Sequence, residues 1–475
     1  MDNYVVKVGQ DSSMEKKGLE YAPMFRVPQE LQGKHEICML EITGNTRHSN
    51  DVLTRVTARG ASNYETPKGE MQDLLERYLP YLNNDPRSER LDILAGGAII
   101  GGMTNSPNVQ RMEAYNWPLA SPAAKPQAMF YLIIDIPDEQ PHFWYCPETK
   151  TALSINSSYY GEKKSRSLGI GMDILQPMGI HSIHGSCLDI GGRGVVIIAP
   201  TGTGKSTLVT MLKDEPGARI HSDDWIYVMF NFDEEGRPRL AIGRYSELWY
   251  YMRTDTALAQ PSLGEVFPRC PLENVPVDGQ GNYIWDTFEN SRVMVNPLDL
   301  VGGGTAIEKQ NRLARFTSIE KVIFLRREEG IEEVEKLAPE KAVQALYEGK
   351  MRYLSGSGKT GMGVERWLNP YVLVNGENLI QQKGERALLN IDFQNYNFAK
   401  LFAVTGGAYY LNTANRSPAE SLKTLKGIIA EPSSLALHFD PHIYRTKRIE
   451  ESIRRSEREV PEESLLTSKR FMGAF

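Results

Sequence analysis

The residues with the clearest chemical potential form one continuous segment, GVVIIAPTGTGKSTLVTML, between Gly194 and Leu212. Its apolar first part predicts a buried β-strand, and the part from Lys205 onward predicts the start of a helix, so that a glycine-rich turn joins the two. Glycines in such a turn let backbone N–H groups approach phosphate oxygens, and the helix N-terminus adds positive potential. The segment therefore predicts a phosphate-binding loop, although Ala199 stands where the usual pattern opens with glycine.

Side-chain chemistry suggests separate roles within this loop. Lys205 can reach the β- and γ-phosphates of a nucleotide, and Ser206 can hold a magnesium ion. We expect the nucleotide to contact eight consecutive residues, namely Pro200, Thr201, Gly202, Thr203, Gly204, Lys205, Ser206 and Thr207.

Two adjacent carboxylates, Asp223 and Asp224, follow in the segment RIHSDDWIYV, with Asp224 nineteen residues beyond Lys205. Such a pair can bind a divalent cation directly or through water. In isolation, two adjacent aspartates are more typical of a helix cap or a turn. Because they follow a phosphate loop at this spacing, we interpret them as metal-binding residues.

Length and composition limit the kind of protein that carries these residues. A chain of 475 residues predicts two or three domains, and 41% hydrophobic with 24% charged residues excludes a wholly disordered or fibrous chain. The nearly uncharged run at 93–103 is too short for a membrane span, and we expect no membrane partner. The N-terminus lacks the basic start and unbroken apolar core of a secretory signal, which predicts a cytoplasmic location.

Charge and cysteine usage exclude two further classes of site. The chain has 54 basic and 60 acidic residues, a net charge of −6, which argues against a nucleic-acid partner. The cysteines are widely separated and form no C-x-x-C pair, so neither a disulfide framework nor a thiolate zinc site is indicated. They are Cys38, Cys146, Cys187 and Cys270.

The elements that must position the loop and the aspartates fall into two patterns. The first third mixes strand-like pieces at 37–42 and 129–136 with a helix at about 70–81, which predicts an α+β lobe. From about Tyr160, apolar runs at 194–199 and 322–325 alternate with glycine turns and helical segments such as 332–347, which is typical of an α/β sheet. The charged stretch at 444–469 predicts a solvated helix or tail. We therefore divide the chain into an N-terminal substrate-side lobe at 1–160, a nucleotide- and metal-binding lobe at 161–440 and a charged end at 441–475.

Further short segments follow one another along 159–415: YYGEKKSRS, GIHSIHGSC, LENV, ENSRV, KVIFL and YLSG. Together with the phosphate loop and the aspartate pair, this ordered series resembles the phosphoenolpyruvate carboxykinase superfamily, especially its ATP-dependent branch. The resemblance implies an α/β, two-lobed carboxykinase-like fold with a P-loop nucleotide-binding lobe and an α+β N-terminal lobe. It also implies a phosphotransferase that converts oxaloacetate and ATP, or GTP, to phosphoenolpyruvate, the nucleoside diphosphate and carbon dioxide, with Mn²⁺ and Mg²⁺ as cofactors.

The resemblance also implies a set of metal ligands. Lys164, His184 and Asp224 would bind manganese, and Ser206 would serve the magnesium of the nucleotide. An amine binds a metal only when it is neutral, so the cation and burial must depress the pKa of the lysine. Lys163 and His181 remain alternative ligands, because each lies within a few residues of the preferred one.

Further roles carried by the resemblance concern catalysis, substrate and nucleotide. The catalytic set would be Lys205, Arg292, Lys164 and Asp223. Arg292 would contact both substrate and nucleotide, and Tyr160 would lie near the substrate carboxylate or the carbon dioxide site. Arg253 would contact phosphate, Glu273 would lie near the ribose, and Arg416 would contact the base or the ribose.

The chain departs from the family in the N-terminal lobe. The family has T-G-R-S-P-K-D-K, whereas this chain has ITGNTRHSNDVLTR at 42–55, so Arg47, with Arg55 as the alternative, would bind the substrate carboxylate. The acid recognised need not be oxaloacetate. A kinase of the same fold, HPr-kinase-like and acting on another small molecule or a protein, and a nucleotide-sensing regulatory protein are alternative hypotheses. The loop SGSGKTGMG at 355–363 is interpreted as a lid or turn, and the oligomeric state stays open.

Overall fold

The computed structural model describes residues 66–459 apart from short gaps at 122, 140, 200–202, 246, 276–279, 281, 286–290, 302–303, 306–307, 310, 349, 354–363 and 368–383. Several sequence-based predictions lie outside the described residues. They are the strand at 37–42, Arg47, Arg55, Pro200, Thr201, Gly202 and the loop at 355–363.

A five-stranded mixed sheet forms the first part of the described chain, in the order β1-β2-β3-β5-β4. The predicted helix at 70–81 and the predicted strand at 129–136 are confirmed, with small shifts at their ends. The elements of this part are α1 Lys68–Asn83, β1 Glu89–Ala95, β2 Ala98–Thr104, α2 Pro107–Asn116, β3 Ala128–Ile133, β4 His142–Cys146, β5 Thr151–Ile155 and α3 Tyr160–Leu175.

A larger sheet follows, with the central order β6-β10-β11-β15-β8-β7-β9 and with β19 and β16 beyond β15. Strands β8, β15 and β19 run parallel, and the remaining pairs along this sheet are antiparallel. The predicted strands at 194–199 and 322–325 both lie in it. Its strands are β6 His181–His184, β7 Ser186–Ile190, β8 Arg193–Ile198, β9 Ala218–Ser222, β10 Trp225–Phe232, β11 Pro238–Tyr245, β15 Phe316–Arg326, β16 Val334–Leu337 and β19 Ala408–Asn412.

Smaller elements surround the large sheet. A three-stranded sheet has the order β12-β14-β13, and β17 pairs with β18. The remaining strands are β12 Tyr250–Arg253, β13 Leu272–Glu273, β14 Arg292–Val295, β17 Lys350–Tyr353 and β18 Val364–Trp367. The remaining helices are α4 Lys205–Leu212, α5 Thr256–Ala259, α6 Leu263–Val266, α7 Pro297–Leu300, α8 Pro339–Glu348, α9 Gly384–Thr405, α10 Pro418–Ala430 and α11 Lys447–Glu459.

Apolar residues cover both faces of β8. Val195 and Ile197 pack into a core with α4 and α10, whereas Val196 and Ile198 pack into a second core with α8 and α9. A strand buried on both faces reads as a continuous apolar run, which explains why its sequence shows no alternation. The fold is therefore mixed α/β, and helices cover both faces of its largest sheet.

Two segments differ from their sequence-based predictions. The predicted helix at 332–347 is wrong in its first part, because 334–337 form β16 against β19, and α8 starts only at Pro339. Proline fits the first turn of a helix, and it disfavours helical backbone in the residue before it. The charged segment after 444 contains the helix α11, but Ile449 anchors that helix in a buried cluster with Phe393 and Tyr396 of α9.

Helix α3 and the β1–β2 hairpin join the two large sheets. One apolar core contains Ile93 and Ile100 of the hairpin, Leu168 of α3, and Trp225 and Tyr227 of β10. The hairpin turns at Gly96, whose φ is +63° and where an added Cβ would lie 2.4 Å from the ring of Tyr227. Only glycine fits this contact. Among the described residues, no helix combines the length and apolar character that a membrane span requires.

Candidate nucleotide and metal site

The predicted phosphate-binding loop connects β8 to α4, and Lys205 is the first residue of the helix. Gly204 precedes the helix with a φ of +101°, a left-handed conformation that favours glycine. The carbonyl of Thr203 accepts a hydrogen bond of 3.0 Å from Thr413 Oγ1, just beyond β19. Strand β8 and helix α4 lie where the sequence predicts them, and Ser206 and Thr207 lie in the first turn of α4.

Three basic or imidazole side chains converge on the carboxylate of Asp224. Lys205 Nζ lies 2.8 Å from Oδ1, His184 Nε2 lies 3.1 Å from Oδ1, and Lys164 Nζ lies 3.3 Å from Oδ2. These residues come from α4, β6 and α3, while Asp224 itself occupies the turn between β9 and β10. The structure thus brings together four residues that the sequence-based prediction assigned to one site. We call Asp224, Lys205, His184 and Lys164 the lysine cluster.

The two adjacent aspartates have opposite electrostatic environments. Burial alone would raise the pKa of Asp224, but Lys205, His184 and Lys164 outweigh it and hold that pKa well below its usual range. Burial and the charge of Asp224 raise the pKa of Asp223 to about 7. At neutral pH, therefore, Asp224 carries a full negative charge and Asp223 is partly protonated.

The geometry separates the alternatives that the sequence left open. Lys163 Nζ points away from Asp224 and donates to Glu113 Oε1 at 2.7 Å, with both side chains 1% exposed. His181 is buried against Phe398, and its ring nitrogens make no hydrogen bond within the described part of the chain. Burial lowers the pKa of His181 to about 3. Lys164 and His184 are therefore the members of each pair that face the aspartate.

Sequence reasoning missed a third acid beside the lysine cluster, Glu247. Its Oε1 accepts from Lys164 Nζ at 2.8 Å and from Asn116 Nδ2 at 2.8 Å, and its side chain is 4% exposed. Burial raises the pKa of Glu247, which opposes the effect of Lys164. Glu247 lies in the turn between β11 and β12, where no motif marks it, so only the fold reveals its contact with α3.

Three predicted nucleotide or substrate residues lie side by side in the small sheet. Arg292 of β14 is paired with Arg253 of β12 on one side and with Glu273 of β13 on the other. Residues paired across neighbouring strands direct their side chains to the same face. Arg253 donates to Asp255, and the Arg292 guanidinium lies 5.8 Å from the ring centre of Tyr251. We call this row the arginine row.

Glu273 is fully buried at one end of the arginine row. Its carboxylate accepts from Asn108 Nδ2 and from the Tyr160 backbone N–H, each at 2.8 Å, and from the Tyr251 hydroxyl. Burial raises the pKa of Glu273. Its carboxylate is therefore engaged mainly by protein groups in this structure.

Tyr160 and its neighbour Tyr159 occupy different surroundings. The Tyr160 side chain is fully buried, and its hydroxyl accepts a hydrogen bond of 2.9 Å from Asn116. Tyr159 instead interacts electrostatically with Arg292 and Lys164, and burial raises its pKa. Tyr159 thus lies within electrostatic reach of both Arg292 and Lys164. The predicted place of Tyr160 near the substrate carboxylate or the carbon dioxide site stays a prediction.

Arg416 follows Thr413, the residue whose hydroxyl donates to the carbonyl of Thr203 in the predicted phosphate loop. Its guanidinium pairs with Glu333, which also accepts from the Thr424 hydroxyl. Arg416 is three residues beyond Thr413 and directly precedes the capping residue of α10. It is therefore engaged with a carboxylate, and its predicted contact with a base or ribose stays a prediction.

The donor atoms around Asp224 include an imidazole nitrogen, an amine nitrogen and the carboxylate itself, which are the ligand types that the sequence-based prediction gives to one metal ion. His184 Nε2 lies 3.1 Å from Oδ1 and Lys164 Nζ lies 3.3 Å from Oδ2, so both nitrogens lie beside the carboxylate at hydrogen-bond distance. Burial lowers the pKa of His184 despite the nearby Asp224, so its imidazole is available as a neutral ligand.

Lys164, one of the predicted metal ligands, differs in its charge state from the neutral amine that metal binding requires. Burial would lower the pKa of Lys164, but Glu247 and Asp224 outweigh it and raise that pKa, so the amine is protonated in this structure. Within the described part of the chain, no group of three or more His, Cys, Asp or Glu side chains is arranged to hold a metal ion. The predicted ligand set therefore depends on Lys164, whose amine would bind a metal only after losing its proton.

Comparison with protein-family models finds no match for this chain. A search of curated proteins likewise finds no match. The functional assignment therefore depends on the residues and their geometry.

Proposed function

We propose that this protein catalyses metal-dependent phosphoryl transfer from ATP or GTP to a small carboxylate, in the manner of a phosphoenolpyruvate carboxykinase. The observation that carries the proposal is the convergence of Lys205, His184 and Lys164 on Asp224 directly beside the start of α4. A helix N-terminus with a lysine and an acidic metal ligand is the arrangement that phosphoryl transfer requires. We also propose that the two large sheets mark the two lobes of a carboxykinase-like fold.

The residues at the start of α4 would bind the phosphates of the nucleotide. The backbone N–H groups of 203–207 lie at a helix start, where partial positive charge favours phosphate. Lys205 now donates to Asp224, and it would exchange this contact for the phosphate oxygens. The positive charge of Lys205 would then offset the charge that moves during transfer.

Two cations would complete this charge balance. Lys164, His184 and Asp224 would hold Mn²⁺, and Ser206 would hold the Mg²⁺ of the nucleotide. When bound, the cations would neutralise phosphate charge and polarise the acceptor oxygen. Glu247 lies 2.8 Å from Lys164 Nζ and would accept its proton.

The acceptor would occupy the space between the lysine cluster and the arginine row. Arg292 offers a planar guanidinium that suits a carboxylate or a phosphoryl group, with Arg253 beside it in the sheet. Tyr159 interacts with both Arg292 and Lys164, so it is the best candidate for a tyrosine contact to the acceptor. In the carboxykinase reaction, oxaloacetate loses carbon dioxide, and the enolate oxygen attacks the γ-phosphate to give phosphoenolpyruvate and ADP. The expected cytoplasmic location stays a prediction.

The decisive experiment is a ³¹P NMR time course of the full chain with ATP, Mn²⁺, Mg²⁺ and oxaloacetate, alongside a Lys205→Ala control. The proposal is supported if the unmutated protein forms phosphoenolpyruvate and the Lys205→Ala variant does not. If ATP is consumed at a rate that does not depend on oxaloacetate, the acceptor is another molecule, as in an HPr-kinase-like enzyme. Nucleotide binding without any turnover would contradict the enzymatic proposal and favour a nucleotide sensor.

A further inference from the structure

Helix α2 buries an unusual number of polar side chains for a helix of ten residues. Asn108, Gln110, Arg111, Glu113 and Asn116 are each at most 8% exposed. Burying polar groups is unfavourable unless they are hydrogen-bonded, so such a helix needs specific partners. Those partners identify what the helix does.

The C-terminal end of α2 holds an acid that contacts the lysine cluster. Asn116 is fully buried, and its Nδ2 donates both to Glu247 Oε1 at 2.8 Å and to the Tyr160 hydroxyl at 2.9 Å. The same Glu247 oxygen accepts from Lys164 at 2.8 Å. Both amide hydrogens of Asn116 are therefore used, and they fix the carboxylate that faces Lys164.

The N-terminal end of α2 makes a parallel contact with the arginine row. Asn108 Nδ2 donates to Glu273 Oε1 at 2.8 Å and to the carbonyl of Ser158 at 3.1 Å. Glu273 is the cross-strand partner of Arg292. Each end of the helix thus presents an asparagine amide to one buried glutamate of the site.

The helix fixes the distance between these two contacts. Asn108 and Asn116 are eight residues apart, which corresponds to about 12 Å along a helix axis. Between them, Glu113 forms the buried pair with Lys163 of α3 and so ties α2 to the helix that carries Lys164. A helix held at three points is a rigid spacer between the lysine cluster and the arginine row.

We propose that Asn116 and Asn108 are positioning residues, through which α2 sets the separation of the metal-binding half and the arginine half of the site. Asn116 acts through Glu247 on Lys164, and Asn108 acts through Glu273 on Arg292. The inference depends on the proposed function, because it assigns the two halves their roles. It predicts that the two asparagines affect different ligands.

The test compares Asn116→Leu, Asn108→Leu and the matched control Gln110→Leu in the full chain. Gln110 is a buried amide of the same helix, but its Nε2 donates to the carbonyls of Arg87 and Thr104, away from the site. Binding of Mn²⁺ is measured by electron paramagnetic resonance of the free ion, and nucleotide binding is measured with a fluorescent ATP analogue in Mg²⁺. Thermal unfolding is recorded for each variant.

Loss of a hydrogen bond to a charged group corresponds to about a tenfold effect or more. Asn116→Leu is expected to weaken Mn²⁺ binding by about tenfold while the nucleotide affinity changes by less than about twofold. Asn108→Leu is expected to weaken nucleotide binding by about tenfold while the Mn²⁺ affinity changes by less than about twofold. Gln110→Leu should lower the unfolding temperature without changing either affinity, and equal effects of all three variants on both ligands would overturn the proposal.

A double-mutant cycle with Glu247→Gln distinguishes positioning from a general structural role. If Asn116 acts through Glu247, then Asn116→Leu has almost no further effect on Mn²⁺ affinity once Glu247 is replaced. Effects that simply add would show that Asn116 does not act through this carboxylate. The cycle compares folded variants only, so a loss of stability cannot imitate the result.

A second readout keeps the proposal testable if the proposed function fails. Absence of Mn²⁺ binding by the unmutated protein would contradict the proposed function. The labelling of Lys164 by acetic anhydride at a fixed pH, followed by mass spectrometry, then reports how firmly Glu247 and Asp224 hold the amine, and the comparison of variants isolates the part that depends on Asn116. We expect Asn116→Leu to speed labelling of Lys164 by about tenfold relative to Gln110→Leu, and equal labelling in the two variants would overturn the inference.

Discussion

Lys163 and Lys164 are neighbours on α3, yet they belong to two different electrostatic regions. Lys163 forms one closed pair with Glu113 at 2.7 Å, with both side chains 1% exposed, and its amine lies 4.1 Å from the ring centre of Phe130. Lys164 is shared between Glu247 and Asp224, and Asp224 is 32% exposed and also holds Lys205 and His184. We call Lys163 and Glu113 the closed pair. The second region is the lysine cluster together with Glu247, which we call the open cluster, and it reaches solvent mainly through Asp224.

The comparison shows how a protein can use the same ion-pair chemistry for two purposes. In the closed pair, each charge has one opposite charge beside it, and Lys163 donates a further hydrogen bond of 3.3 Å to Ser167 Oγ on its own helix, so the pair fixes α3 against α2. In the open cluster, the contacts of Asp224 are shared and can be exchanged for a ligand. Functional sites commonly sacrifice stability in this way. The predictions below test whether the two regions differ in stability and in activity.

Breaking the closed pair should have the largest effect. Lys163→Met leaves the Glu113 carboxylate buried without its cation, which is expected to lower the free energy of unfolding by about 3–5 kcal/mol. Denaturant unfolding measures the loss. The matched control is Lys426→Met, because Lys426 pairs with Glu215 at the same 2.7 Å but is 49% exposed, and it should cost less than about 1 kcal/mol. Equal losses in the two variants would contradict a special role of burial.

Breaking the open cluster should affect activity more than stability. Lys205→Ala is expected to lower kcat for phosphoryl transfer by about 10²–10³-fold, because a positioned charge at the transferring group is lost. The free energy of unfolding should change by less than about 1 kcal/mol, since Asp224 keeps His184 and Lys164. Lys213→Ala, at the other end of α4, provides the kinetic control. A comparable loss of rate in the control would remove Lys205 from the catalytic set.

Removing one charge from the open cluster should stabilise the protein in the absence of ligands. Burial and the charge of Asp224 raise the pKa of Asp223 to about 7, so the folded chain binds this proton more tightly than the unfolded chain. The stability of the folded state therefore falls as the pH rises from about 4 to about 7. Asp223→Asn is expected to raise the free energy of unfolding by about 1–2 kcal/mol at pH 8 and to leave it unchanged at pH 4. Unfolding curves at both pH values measure this, and a destabilised variant at pH 8 would show that Asp223 belongs to a closed network.

Replacing both members of the closed pair should have the smallest effect. In the double variant Lys163→Met with Glu113→Leu, neither charge of the pair remains to be buried without its partner, and apolar replacements of this kind are often neutral. We expect a free energy of unfolding within about 1 kcal/mol of the unmutated protein. A loss as large as that of Lys163→Met alone would mean that α3 needs the ion pair itself and not only the absence of an unpaired charge.

Local patterns predicted the parts of the site that depend on local structure. The strand and the helix on either side of the predicted phosphate loop were recognisable because apolar strand, glycine and lysine lie within one short segment, and the structure gives β8, Gly204 and α4 in that order. Successive positions on a helix differ by about 100° in direction, so only packing could separate Lys163 from Lys164. Glu247 and Asn116 belong to segments without any motif, and their roles follow from contacts across more than a hundred residues of chain.

The fold could likewise be predicted only where local sequence determines it. The predicted helix at 332–347 failed in its first part because pairing of β16 with β19, more than seventy residues later, determines the backbone there. The predicted strands at 194–199 and 322–325 were correct because continuous β-branched runs indicate buried strands on their own. Interactions that are distant in the chain are thus the part that a single sequence does not reveal.

The hairpin at Gly96 restricts which residues can occupy position 96. A side chain at position 96 would have to occupy the space of the Tyr227 ring, whereas position 69 in the first turn of α1 has no neighbouring atom within 4 Å. Random substitution at both positions followed by selection for folded protein should therefore recover almost only glycine at 96 and a wide range of residues at 69. The packing of the two sheets against each other requires a residue without a side chain at position 96. This requirement restricts the sequence as strictly as the need for a charged residue does in the candidate site.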